Sequence, residues 1–467
     1  MRLKSLRLHN FRCFEDLQME FQPHCNVLVG INGAGKSSVL DAVAIALSGF
    51  LSAIDGASGI SLHKDDIRYA MYKNGSVINR EQQVPVYVEA NGTAPDAGEL
   101  TWKRSLSSLQ GRTTIKDAKE IIDYGRGLQA GIRAGEAGVV LPLIAYYGTG
   151  RLWARKQNRS GGYSGLRNQP VSRLQGYQDC LSAVSNEKMM LSWFAQMTYL
   201  RLQEEQEIPE LALVEHAMAE CYRGIEVTAK SVSVRYSVKL SELEIRVVRQ
   251  DDSVEYLPLH LLSDGIKTIL NMVADIAYRM AVLNPQLSQD ILKKTPGVVL
   301  IDEVDMHLHP AWQKRILSDL RKIFPEIQFI VTTHAPSVLV NTHHEEVRIV
   351  SDGRVYVPDI MTYGRSVEAV MSELMGIAVR PADIVKKIAS FHEALDESRV
   401  EHAKELLSAL EKQLGVNAQD VIDARIALDL EVMRGVACFI SRNINHQIVL
   451  CIMSNNRMFI LMIWTQR

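Results

Sequence analysis

Residues 30–37 read Gly-Ile-Asn-Gly-Ala-Gly-Lys-Ser and satisfy every fixed position of the template GxxxxGK[ST]. An apolar strand at residues 25–30 runs into this bend, and a helical run from Ser37 leads out of it. A strand, a glycine-rich turn and a helix N-terminus aim several backbone N–H groups at one point, where the helix dipole also favours negative charge. Such a point binds phosphate. The candidate ligands are Gly30, Asn32, Gly33, Ala34, Gly35 and Ser38, with Lys36 reaching the β- and γ-phosphates and the Ser37 hydroxyl on Mg²⁺.

The complementary half of a nucleotide site lies more than half the chain further on. Residues 297–303, Gly-Val-Val-Leu-Ile-Asp-Glu, form a continuous apolar run that ends in two carboxylates. This predicts a strand buried on both faces whose C-terminal end opens on a ligand crevice. Asp302 is the expected second metal ligand, and Glu303 is placed to polarise an attacking water. ATP and Mg²⁺ are the cofactors that this pair of motifs expects.

Beyond Glu303 come Asp305, His307 and His309, a helix over about 312–323, and a second apolar run at 328–334 that ends in His334. Upstream, Leu262-Ser-Asp-Gly-Ile-Lys267 opens a helical run. A Ser or Asp before a helix is also an ordinary cap, and both readings hold together because capping geometry makes an anion site. The N-terminus reads Leu-Arg-Leu-His-Asn-Phe-Arg-Cys-Phe over residues 6–14. Together these segments resemble the ABC-type ATPase heads of the SMC, RecF and OLD proteins. The resemblance implies that His334 is the switch histidine. It also implies that Ser263 and Gly265 bind the γ-phosphate held by a second subunit, with Asp264 replacing the usual first glycine of that signature. Arg12 is either a contact to nucleotide phosphate in cis or a solvated surface arginine. His307, His309 and His334 belong to two separate elements, which argues against a metal cluster.

The fold expected is α/β: an ABC-type P-loop head with an antiparallel β-subdomain, a helical insertion and a helical C-terminal extension. The head would span 1–355, split by an insertion at about 151–225, and would be followed by a helical region 356–435 and an atypical tail 436–467. Strand-like alternation at 75–110 suits the β-subdomain, and residues 154–170 read as a Gly/Ser-rich, basic loop. The helical stretch at 186–222 is far too short for a long coiled-coil arm. Residues 341–435 hold no Asp-x-Asp at a strand end, so no fused nuclease centre is expected. Residues 436–467 contain no acidic residue, and neither of their apolar runs reaches the roughly 18–20 residues of a membrane span. They read as an abnormal coding end, a packed terminal hairpin, or an oligomerisation or partner patch.

The net charge of −2 provides no global field for nucleic acid, and six cysteines without metal spacing suit a reducing compartment. A cytoplasmic protein without membrane attachment is expected. The Tyr146-Tyr-Gly-Thr-Gly-Arg-Leu-Trp153 block and the Asp302-Glu-Val-Asp-Met-His-Leu-His-Pro310 block resemble the PtuA family, ATPase subunits of Septu anti-phage systems that also occur beside some retrons. In the first block Arg151 is a candidate for a polar contact. This resemblance implies a homodimer around sandwiched ATP, larger homo-oligomers, a separate PtuB-like HNH nuclease as partner, and nucleic acid reached through the complex. Two other functions stay open on the residues: a RecF-type repair ATPase that binds DNA directly, and a scaffold that binds ATP without turnover.

Overall fold

In the computed structural model the chain forms two compact units, Met1–Met375 and Gly376–Arg467. The structure describes residues 1–74, 77–152, 172–182, 187–226, 228–378, 380–443, 448–454 and 457–463. The basic loop expected at 154–170 lies outside the described residues, as does the Arg151 side chain.

The first unit opens with strands β1 (Arg2–Phe11), β2 (Phe14–Glu20) and β3 (Cys25–Val29), then helix α1 (Lys36–Leu51). A two-stranded ribbon, β4 (Tyr69–Asn74) and β5 (Val77–Gln82), precedes β6 (Val86–Ala94) and β7 (Gly98–Leu106). Strands β1, β2, β6 and β7 make an antiparallel sheet of order β2-β1-β6-β7. Its strands alternate buried and exposed residues along much of their length, as expected for a sheet with one covered face.

Helix α2 (Lys119–Arg133) leads to β8 (Leu143–Tyr147), and helices α3 (Glu187–Glu204) and α4 (Pro209–Ile225) to the small sheet β9 (Ser231–Ser237), β10 (Glu242–Val248) and β11 (Val254–Pro258). Then come α5 (Asp264–Leu283), β12 (Gly297–Ile301), α6 (Ile316–Ile323), β13 (Ile327–Thr332), β14 (Val347–Ser351) and β15 (Arg354–Tyr356). The central sheet has order β15-β14-β3-β13-β12-β8, parallel except for the edge strand β15. Every residue of β3, β8, β12 and β13 is buried, because helices cover both faces of a parallel sheet.

Helix α1 is buried along nearly its whole length, from Val39 to Leu51. The antiparallel sheet grips its end through the backbone: Trp102 Nε1 donates to the Ala46 carbonyl at 2.9 Å, and Arg104 Nη1 to the Ile45 carbonyl at 3.1 Å. A helix held this way gives a fixed N-terminus, which is where the phosphate loop sits. Truncating the fully buried Phe50 to alanine would cost about 3–5 kcal/mol.

The first unit runs past the boundary expected at 355. Val370, in a short helical turn after β15, is 2% exposed and belongs to the core of the first unit. The second unit holds helices α7 (Ala382–Asp396), α8 (Val400–Leu414) and α9 (Gln419–Asn443), followed by a hairpin of β16 (Ile448–Ser454) and β17 (Arg457–Ile463). Phe391, Leu407, Leu410 and Val421 form its own core. Helix α9 continues through residue 436, so the compositional break there is not a break in secondary structure.

Candidate functional site

The phosphate loop, the ends of β12 and β13, and the β1–β2 turn enclose one cleft of about 450 Å³. It is lined by Arg12, Cys13, Asn32, Gly33, Gly35, Lys36, Ser37, Ser38, Asp302, Glu303, Thr332 and His334. Strand order explains the convergence: β3 lies beside β13, and β13 beside β12, so the segments after all three strands open at the same edge of the sheet. Gly30 and Ala34 belong to the loop but do not line the cleft.

Helix α1 begins without a side-chain cap or an acidic residue in its first turn, leaving its leading N–H groups to an anion. Its N-cap, Gly35, has φ 104°, and a Cβ there would lie 2.6 Å from both Cys13 Sγ and Phe14 Cζ. Only glycine meets both demands. Lys36 Nζ donates to the carbonyls of Gly30 at 2.9 Å and Ile31 at 3.0 Å. Burial pushes its pKa down, opposed by Asp302, Glu303 and Asp305, so a bound polyphosphate would further favour its charged form.

Ser37 Oγ donates to Asp302 Oδ1 at 3.1 Å, which brings together a hydroxyl and a carboxylate 265 residues apart in the chain. This oxygen pair suits a hard divalent cation such as Mg²⁺. Glu303 follows with φ 50°, a backbone conformation uncommon outside glycine, and its N–H donates to Thr332 Oγ1 at 2.7 Å. Thr332 and Cys13 are cleft residues that motif reading missed. The available signal for Thr332 was its place at the C-terminal end of the strand leading to His334.

Arg12 is partly exposed, and its guanidinium is paired with two carboxylates. Its Nη1 bonds Asp41 Oδ2 at 2.6 Å and its Nε bonds Asp66 Oδ1 at 2.9 Å, while Asp41 also accepts from the Tyr146 hydroxyl at 2.9 Å. The arginine therefore ties the β1–β2 turn to α1 at the rim of the cleft.

Ser263 and Gly265 stand apart from these residues, outside the lining of the cleft in their own chain. Ser263 is exposed at the N-cap of α5, and its side chain makes no cap hydrogen bond. Gly265 is buried, and a Cβ there would lie 2.1 Å from the His307 carbonyl oxygen. A close backbone approach thus demands glycine at this position. Helix α5 is held from within by the Asp275–Arg279 ion pair at 2.8 Å, both side chains 3% exposed, to which the Tyr147 hydroxyl adds a bond at 2.7 Å.

Among the described residues no group of His, Cys, Asp and Glu could hold a metal ion by itself. His309 instead caps the helical turn after it, accepting the Ala311 N–H on Nδ1 at 3.3 Å. No helix among the described residues is long and apolar enough to cross a membrane.

Comparison with known proteins agrees with this geometry. A family model described as "AAA domain" matches residues 5–226, and one described as "AAA domain, putative AbiEii toxin, Type IV TA system" matches residues 227–341. The probable ATPase of retron Ec83 from Escherichia coli is 24% identical across 92% of this chain and 87% of its own length. Septu protein PtuA of Bacillus thuringiensis is 29% identical across 39% of this chain and 48% of its own. The replication and repair protein RecF of Lactococcus lactis subsp. cremoris is 35% identical, across 28% of this chain and 36% of its own length. The chain is an SMC/RecF-like P-loop ATPase. Within that class it stands close to PtuA and to the ATPases of retrons.

Proposed function

We propose that this protein binds and slowly hydrolyses ATP as the regulatory subunit of an anti-phage nuclease complex, acting through two heads that sandwich two nucleotides. The observation that carries this reading is the split of the site. Lys36, Ser37, Asp302, Glu303 and His334 share one cleft, whereas the exposed Ser263 hydroxyl sits at a helix N-terminus outside it. A second copy presenting Ser263 and Gly265 would complete the anion site.

In this reading the loop N–H groups and Lys36 bind the β- and γ-phosphates. Ser37 and Asp302 hold Mg²⁺, which when bound would offset phosphate charge. Glu303 orients the attacking water and takes up its proton, and His334, which lines the same cleft, would contact the γ-phosphate. The partner is a separate HNH-type nuclease, and nucleotide controls it by changing the geometry of the two heads. Nucleic acid is reached through that complex, and the chain by itself cuts neither DNA nor RNA. A RecF-type role in repair is less favoured, because the RecF match covers 28% of the chain and the retron ATPase match 92%.

Mixing variants tests the sandwich. Ser263→Arg should abolish hydrolysis while leaving nucleotide binding by the monomer largely intact, and Glu303→Gln should do the same from the other side. A mixed dimer then carries one intact site, so mixing must restore part of the rate. No recovery, with mixed dimers present by native mass spectrometry, refutes action in trans.

A further inference from the structure

Thr332 ends β13 and is completely buried, yet it reaches three successive residues of the carboxylate turn. Its hydroxyl donates to Asp302 Oδ1 at 2.6 Å. The same oxygen accepts the Glu303 N–H at 2.7 Å, and the Thr332 carbonyl accepts the Val304 N–H at 2.9 Å. A hydroxyl has one proton, so donating it to Asp302 leaves the lone pairs to face Glu303. The β-branched side chain in a fully buried strand has little χ1 freedom, which holds this orientation.

The consequences differ for the two carboxylates. Asp302 Oδ1 receives hydroxyls from Ser37 and Thr332, one from each flanking element, and its rotamer is set between them. Glu303 is held through its backbone, at the φ of 50° that directs its side chain into the cleft. We infer that Thr332 is a positioning residue for the ATPase reaction, which sets the metal-binding rotamer of Asp302 and the aim of Glu303 through one hydroxyl. It touches the reaction only through those two residues. This inference rests on the ATPase reading given above.

Thr332→Val keeps the shape of the side chain and removes the hydroxyl, leaving the Val304 bond in place. Charge-assisted and buried bonds of this kind, lost at the turn that positions the reacting groups, correspond to a fall in kcat of about 10- to 100-fold. KM for ATP should stay within about threefold, because the loop N–H groups and Lys36 are untouched. A second readout does not depend on turnover. Binding of a fluorescent ATP analogue without Mg²⁺ should be unchanged, whereas the Mg²⁺ concentration that half-saturates the metal-dependent fluorescence change should rise several-fold. Thr332→Ser, which restores the hydroxyl, should recover kcat to within about fivefold and return the Mg²⁺ midpoint to that of the parent. If T332V melts early, T332A removes the same hydroxyl and is measured in its place at a temperature where it is folded.

The inference is overturned if the variant lacking the hydroxyl matches the parent in both kcat and Mg²⁺ midpoint, or if T332S is as impaired as T332V. A parent protein without any ATP hydrolysis would count against the ATPase reading instead. In that case the Mg²⁺ titration alone still decides the role of Thr332 in holding Asp302.

Discussion

Arg12→Ala separates two roles for the arginine at the rim of the cleft. The guanidinium bonds Asp41 at 2.6 Å and Asp66 at 2.9 Å, with side-chain exposures of 32% for Arg12, 29% for Asp41 and 8% for Asp66. The Asp41 pair is partly solvated and contributes about 1 kcal/mol after screening. The Asp66 pair is shielded, and loss of its charge-assisted bond costs about 2 kcal/mol, moderated because Asp66 Oδ2 keeps the His63 N–H at 2.8 Å. A total near 3 kcal/mol lowers the melting temperature of a large domain by about 5 °C. Nucleotide affinity should change by no more than about threefold, since both partners are carboxylates and the guanidinium is already committed to them. Differential scanning fluorimetry and titration with a fluorescent ATP analogue measure the two quantities on one preparation. Arg12→Lys should fall between, because one ammonium cannot reproduce the fork that spans both carboxylates. An unchanged melting temperature together with a tenfold or greater loss of ATP affinity would refute the strut and make Arg12 a phosphate ligand.

Glu303→Gln should keep ATP binding while reducing hydrolysis at least 100-fold, whereas Lys36→Ala should weaken binding itself; equal losses of affinity in both would sink this division of roles. Gly265→Ala places a Cβ 2.1 Å from the His307 carbonyl oxygen, so one backbone must move by about 1 Å to reach ordinary contact; hydrolysis should fall at least tenfold with ATP affinity of the single head preserved, measured by turnover and by titration. Cys13 is exposed at the cleft, and partial desolvation pushes its thiol pKa up against the nearby Arg12 charge, so its alkylation should accelerate as pH rises. Because Cys13 lines the cleft, ATP should slow its labelling, as followed by mass spectrometry of the Cys13 peptide.

The phosphate loop and the two carboxylates were legible because their chemistry depends on local spacing. A glycine-rich bend between a buried strand and a helix can be read from eight consecutive residues, and a fully apolar run ending in Asp-Glu announces a strand covered on both faces. The same logic located β8, β13 and the helices α7 and α8. The resemblance to ABC-type heads rested on such local blocks too, and the AAA-domain matches and the PtuA and retron relatives support the class it pointed to.

What local spacing could not show was which side chains meet across the chain. Arg12, Asp41, Asp66 and Tyr146 come from four separate segments, and nothing in their spacing marks them as one network. Thr332 looks like an ordinary β-branched strand residue until β13 is placed beside β12. Gly265 reads as part of an anion site, but the close His307 carbonyl imposes a second, steric demand for glycine. By itself, then, the sequence determined the elements and the two halves of the phosphate site, since strand burial, helix starts and glycine bends follow from nearest neighbours. Only the tertiary structure decided how the carboxylates are aimed and what Arg12 holds, because a hydrogen-bond partner on another element, 30 residues away for Thr332 and Asp302 and 265 for Ser37 and Asp302, is chosen by how the elements pack and not by local spacing.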